Sequence, residues 1–277
     1  MKITIALEDN FSDIVTKASR GTGVSQADLA TRSGIPAQRL RQITGEPPSP
    51  TDGEARAIAE PLGLDGGKLA DLALDRWQPK TRDLGPRIDH QVNAPHWSNG
   101  YFVEVREAKV AAFVDPGGNA DHIEAVLREK ALALHYILVT HKHYDHTDAL
   151  AELRHRFPDA KVVVHALDAG ELGPAARGAI GIEDGGTLPF GGGELRTLHT
   201  PGHTDGSSCF LFDGNLFTGD TLFSGSVGRI FGDRFGYRDL LRNVADKILT
   251  LPDGVIVLPG HGPPSTVGEE RDHNPFF

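Results

Sequence analysis

Six consecutive residues, His141-Lys142-His143-Tyr144-Asp145-His146, restrict the folds open to this chain more than any other feature. They follow the apolar run at 135–139 and precede an amphipathic stretch at 147–157, so they sit where a β-strand hands over to a helix. Ligands bind at such carboxyl ends of strands in α/β sheets. The two-residue period of an extended segment points His141 and His143 the same way. The turn beyond can aim Asp145 and His146 at a second point a few ångströms off. One short loop can thus serve two cations. Imidazole with some carboxylate is the donor set that borderline divalent metals such as zinc favour, and residues distant in sequence must complete it.

Three such residues are present, each in a turn after a β-rich run: His203 in HTPGHTDGSS, Asp220 in LFTGDTLF and His261 in VIVLPGHGP. The other histidines, among them His96, His155 and His199, read as ordinary surface or core residues. From Tyr101 onward, β-branched and aromatic runs (YFVEV, KVAAFV, HYILVT, KVVVH, GELRTLH, SCFLF, NLFTG, VIVL) alternate with helical stretches at 119–130, 147–157 and 237–249. Alternation of this kind predicts an α/β domain over residues 101–277.

Residues 1–78 follow a different pattern, with apolar positions such as Leu29, Ile35, Leu40, Ile43, Ile58 and Leu62 at helical spacing. Ser25 is placed to cap one helix, Gly34 to turn the chain and Pro36 to open a second helix, while Pro61 is expected to break or kink a later one. This all-α segment resembles the helix-turn-helix of the XRE-type (Cro and repressor-like) regulators. Binding of nucleic acid would need a basic face, yet residues 1–80 hold ten Lys or Arg against eleven Asp or Glu. Arg32, Arg39 and Arg41 are the arginines near the candidate recognition helix. The favoured role for the segment is packing on the catalytic part, dimerisation or docking of a partner, with a homodimer as one outcome. Residues 79–100, rich in Pro and polar residues without periodicity, read as linker and entry segment.

A net charge of -10 argues against chain-wide attraction to nucleic acid or to an anionic membrane. No apolar run is long enough to span a bilayer, and the start lacks the apolar core and cleavage site of an export signal. The lone cysteine, Cys209, lies in the apolar run SSCFLF and reads as a buried small hydrophobe. Cytoplasm is the expected compartment.

THKHYDH, PGHT, FTGDTLF and LPGHGP resemble the ordered motifs of the metallo-β-lactamase superfamily, over about residues 95–277. VDPGG at 114–118, GSVGR at 225–229 and the tail LPGHGPPSTVGEERDHNPFF are similar to the short type of hydroxyacylglutathione hydrolase, or glyoxalase II. The resemblance implies an αββα sandwich. It implies one metal on His141, His143 and His203, another on Asp145, His146 and His261, and Asp220 bridging. It also implies substrate contact at Arg229 and, two positions on, at Phe231, where an aromatic hydroxyl is common. The cofactors implied are two divalent ions, zinc foremost, with iron or manganese as alternatives.

The activity implied is hydrolysis of a small-molecule thioester or related ester by a metal-bridging hydroxide, with Asp145 and Asp220 as the catalytic carboxylates. Thr140, Thr204 and Ser207 are candidates for holding the ligands, although ordinary turn chemistry explains the last two equally well. A persulfide dioxygenase with a single iron uses similar motifs and is the rival within the superfamily. A regulator that binds DNA and senses a ligand through a hydrolase-like domain is the rival of another class.

Overall fold

Local capping chemistry sets the first helices. The computed structural model describes residues 6–85 and 87–277. The first five residues of the expected helical segment and Pro86 of the expected linker lie outside the described residues. Helix α1 (Phe11–Thr22) opens on a capping box in which the Asn10 side chain accepts from the Asp13 backbone and Asp13 reaches back to the Asn10 N–H. Ser25 caps α2 (Gln26–Ser33), and Gly34 ends it in the left-handed region at φ 70°. Pro36 immediately precedes α3 (Ala37–Ile43). Helix α4 (Asp52–Leu62) carries Pro61 in its last turn, so the expected break takes the form of a stop. Helix α5 (Gly66–Ala73) completes the series.

A sheet follows, made of β1 (Ile88–Asn93), β2 (Ser98–Val105), β3 (Val110–Val114), β4 (Ala133–Leu138), β5 (Lys161–His165) and β6 (Ile180–Ile182) in that order, antiparallel to β3 and parallel beyond. Helix α6 (Ala120–Glu129) joins β3 to β4. Helices α7 (Tyr144–Thr147) and α8 (Leu150–Arg156) join β4 to β5, and α9 (Ala166–Ala169) follows β5. The second sheet comprises β7 (Thr187–Phe190), β8 (Gly193–His199), β9 (Ser208–Phe212), β10 (Asn215–Gly219), β13 (Ile256–Pro259) and β14 (Ser265–Thr266). The hairpin β11 (Leu222–Phe223) and β12 (Ser226–Val227), then α10 (Tyr237–Asn243), lie between β10 and β13, and α11 (Val267–His273) follows β14. Residues 79–100, read from sequence as linker, contain β1 and the start of β2. Their strand character was hidden because the inward positions Gln91 and Asn93 are polar.

Alternation along each strand sorts side chains between layers. Tyr101, Val103, Ala112 and Val114 meet Phe190, Phe210, Phe217 and Leu258 between the sheets. Phe102, Ala111 and Phe113 face outward against α6 and α8. Leu198, Cys209, Leu216 and Val257 face outward from the second sheet, where they share one apolar cluster with α10, α11 and the N-terminal helices. The result is the αββα sandwich of the metallo-β-lactamase fold, with α1–α5 built into its outer layer. Trp77 stacks on His273 at 5.0 Å, Arg82 pairs with Glu269 at 2.6 Å, and the Asp65 N–H donates to the Pro275 carbonyl. Among the described residues no helix is long and apolar enough to cross a membrane.

Candidate metal centre

The loop after β4 is held from below by Asp115, which follows β3. Its carboxylate accepts from the Thr140 N–H at 2.8 Å and the Thr140 hydroxyl at 2.7 Å, and it faces His146 Nδ1 at 3.1 Å. Asp115 adopts φ 53°, a strained value for a residue other than glycine, and these bonds fix it there. The Thr140 hydroxyl also meets His141 Nδ1 at 3.0 Å. With its Nδ1 proton engaged below, neutral His141 presents a bare Nε2 atom upward, and His146, held at Nδ1 by Asp115, turns its Nε2 the same way.

The downstream residues arrive from the other sheet. His203 Nδ1 faces the Arg229 carbonyl at 2.6 Å, which turns Nε2 toward His143 Nδ1, 2.9 Å away. His261 Nε2 lies 3.3 Å from His146 Nε2 and 3.1 Å from Asp145 Oδ2. Asp220 lies between: Oδ1 is 3.4 Å from His146 Nε2 and 3.8 Å from His261 Nε2, and Oδ2 is 3.4 Å from His203 Nε2. All seven residues expected from sequence therefore converge. Six of them form one trio of His141, His143 and His203 and another of Asp145, His146 and His261, with Asp220 between the two. Asp115, His141 and His146 also cluster, but Asp115 is already committed to Thr140 and the far side of His146.

These donors suit divalent cations. His141 Nε2 and Asp220 Oδ1 are buried with no hydrogen-bond partner, an arrangement that is costly unless a cation completes it. Burial holds the His203 imidazole down to about 4 and pushes His141 well below its ordinary range, so both rings are neutral donors at pH 7. Burial also opposes charge on His146 and His261, yet Asp220 and Asp145 outweigh it and hold both above the ordinary range. The surplus of carboxylate draws positive charge to this point. Gly260 is required beside it: a Cβ there would lie 2.3 Å from Asp220 Oδ1.

Two supports were not singled out from sequence. Asp115 lies in VDPGG, directly after an apolar strand, and that position was the available clue. Asp168, buried at α9, gave none. It accepts from the Lys142 N–H at 3.0 Å, the Thr204 hydroxyl at 2.7 Å and the Gly206 N–H at 2.8 Å, tying the loop of His143 to that of His203. Ser207 accepts from the Thr204 N–H at 2.9 Å and so shapes the His203 turn.

At the mouth, Phe231 is 58% exposed and sets its ring edge-on to His143 and His203, with centroids at 5.2 and 5.5 Å. The Arg229 guanidinium is half-exposed and lies 3.5 Å from Asp13 of α1. Glu8, Asp9 and Lys17, outside every sequence expectation for the site, line the same opening.

A family model, the metallo-beta-lactamase superfamily, matches residues 97–261. The probable metallo-hydrolase YqgX of Bacillus subtilis is 37% identical over 200 residues, covering 66% of this chain and 93% of that protein. The hydroxyacylglutathione hydrolase GloC of Haemophilus influenzae is 32% identical over 194 residues, covering 62% and 89% respectively. The crystal structure of TTHA1623 in a di-iron-bound form is similar with a TM-score of 0.58 at 32% identity, covering 68% of this chain and 100% of that one.

Proposed function

The chain belongs to the metallo-beta-lactamase superfamily, and from that premise we propose that it is a two-metal thioester hydrolase of the hydroxyacylglutathione hydrolase kind. The observation that carries the reading is the position of Asp220, one oxygen toward His146 and His261 and the other toward His203. His141, His143 and His203 would hold one ion and Asp145, His146 and His261 the other, with Asp220 reaching both. Zinc is the first choice, and iron or manganese fits the same donors. The similarity to a protein solved in a di-iron-bound form and to a hydroxyacylglutathione hydrolase supports this reading.

When bound, such a pair supplies Lewis acidity toward a carbonyl and hydroxide at neutral pH. Asp145, more open than Asp220, accepts a hydrogen bond from the nucleophile and orients it. Phe231 shields the His143 and His203 side from water, and Arg229 binds the substrate beyond the reacting bond. A thiolate leaving group, with a pKa of about 8.5, departs without a strong acid. That suits a site whose five imidazoles all belong to the two trios.

We assign α1–α5 to this hydrolase rather than to an operator. Arg39, one of the arginines at α3, is committed to Glu54 through bonds of 2.7 and 2.9 Å. The test is metal content per chain together with release of thiol from a lactoyl thioester. Near two ions and metal-dependent release are expected. One iron, with no second ion taken up on titration, would overturn the reading in favour of persulfide dioxygenase chemistry.

A further inference from the structure

The family match begins at residue 97, yet part of the mouth of the metal centre is built from residues before it. The opening above His203 and Asp220, about 250 Å³, has Glu8, Asp9 and Lys17 along one wall. A second cavity of about 410 Å³ shares Lys17, Arg229 and Phe231 with the first and runs on between α1 and the 228–231 segment, reaching Arg20 and Tyr237. The two cavities therefore adjoin at these three side chains, and the second leads away from the metal centre along α1. A volume of this size takes a small-molecule tail.

Helix α1 is fixed in place as this wall. Phe11, Ile14, Val15 and Ala18 are buried in the shared apolar cluster. Lys17 pairs with Asp9, donates to the Val227 carbonyl at 2.8 Å and lies 4.9 Å above the Phe223 ring. Gly21 lets the helix settle onto Tyr237, since a Cβ would lie 2.2 Å from that ring. Carboxylates line the first cavity, Glu8 among them, whereas the charged side chains lining the second are Lys17, Arg20 and Arg229. Lys17 is balanced by Asp9, and Arg229 by Asp13 at 3.5 Å. Among the described residues, Arg20 has no carboxylate within ion-pair distance, and it stands at the exposed end of the second cavity.

We propose that α1 makes this space a specificity pocket for substrates with an anionic tail, a carboxylate or a phosphate, which seats between Arg20 and Arg229. The aliphatic part of that tail packs on Ile230, Phe231 and Tyr237 while the reacting bond reaches the two trios. Guanidinium suits either anion, because its planar fork matches both. Only the nature of the reacting bond rests on the thioester reading given above.

The full chain is titrated by calorimetry with uncleavable S-methyl thioethers of three thiols: neutral N-acetylcysteamine, carboxylated N-acetylcysteine and phosphorylated pantetheine. At least one acidic thioether should bind tenfold or more tightly than the neutral one, and which acid does so identifies the anion. Arg20→Gln should reduce that preference at least fivefold and Arg20→Lys should restore part of it. Arg20 is exposed, so both variants are expected to fold. Equal binding of acidic and neutral ligands, or a preference that survives Arg20→Gln, would overturn the pocket. In Arg20→Gln, KM for the corresponding acidic thioesters should rise relative to the neutral one in step with the binding data. If the Arg20-dependent preference is found while no thioester is cleaved, the pocket stands and the thioester reading fails. Cleavage without the preference overturns the pocket alone.

Discussion

His203 Nδ1 lies 2.6 Å from the backbone carbonyl of Arg229, so the residue that brings a guanidinium to the mouth also sets the tautomer of a proposed ligand. The two roles use different atoms. Arg229→Ala should keep the metal content of the wild type while raising KM several-fold, because the carbonyl remains in place. Elemental analysis alongside steady-state kinetics tests this, and loss of metal in the variant would show the side chain to be structural.

Asp115 holds Thr140 and His146 from beneath. Outer partners of ligating histidines typically contribute about 10–100-fold to metal affinity. Asp115→Asn exchanges one acceptor oxygen for a donor, and affinity should fall within that range in competition with a chromophoric chelator. An unchanged affinity would remove Asp115 from the account of the site.

Burial pushes the Glu270 carboxyl up to about 7 from an ordinary 4.5, against partial opposition from Ser265, Asn274 and the Gly225 N–H. The native state therefore holds a proton that the unfolded chain releases. This contribution is fully present below about pH 4.5 and is lost as pH rises through 7. Glu270→Gln should consequently gain stability relative to wild type between pH 5 and pH 8, by up to about 3 kcal/mol. Urea unfolding at the two pH values measures the difference, and parallel changes in both proteins would refute the assignment.

Lys17 and Asp9 form a buried pair under α1, with side chains 6% and 5% exposed. Lys17→Met strands the Asp9 carboxylate, at a cost of about 3–5 kcal/mol. The double variant Lys17→Met, Asp9→Leu should recover most of that loss. Chemical denaturation of the three proteins decides, and equal stability of the single and double variants would mean that Asp9 finds another partner.

The site was more legible in the sequence than its supports. HxHxDH packs four donors into one strand-end turn, and His203, Asp220 and His261 each follow a strand, so spacing alone exposed them. Asp115 and Asp168 are single aspartates whose importance lies in contacts 25 or more residues away, and no local pattern marks those. Strand β1 was missed because Gln91 and Asn93 occupy inward positions usually held by apolar residues. The helices of the N-terminal segment were readable from the period of Leu29, Leu40 and Ile58. That period shows that a face is buried but not what buries it, so the apolar cluster shared with Leu216 and Val257 came only from the three-dimensional arrangement.

The shared cluster between α1–α5 and the second sheet also bears on how the chain is made. The helices are synthesised first, while Leu216, Val257 and Phe276, which share their apolar cluster, come later. At about 5–20 residues per second, the apolar faces of α1, α4 and α5 wait roughly 10–40 seconds for their partners. During translation the helical segment, although its members pack on one another, therefore keeps part of its apolar surface open until β13 and α11 emerge.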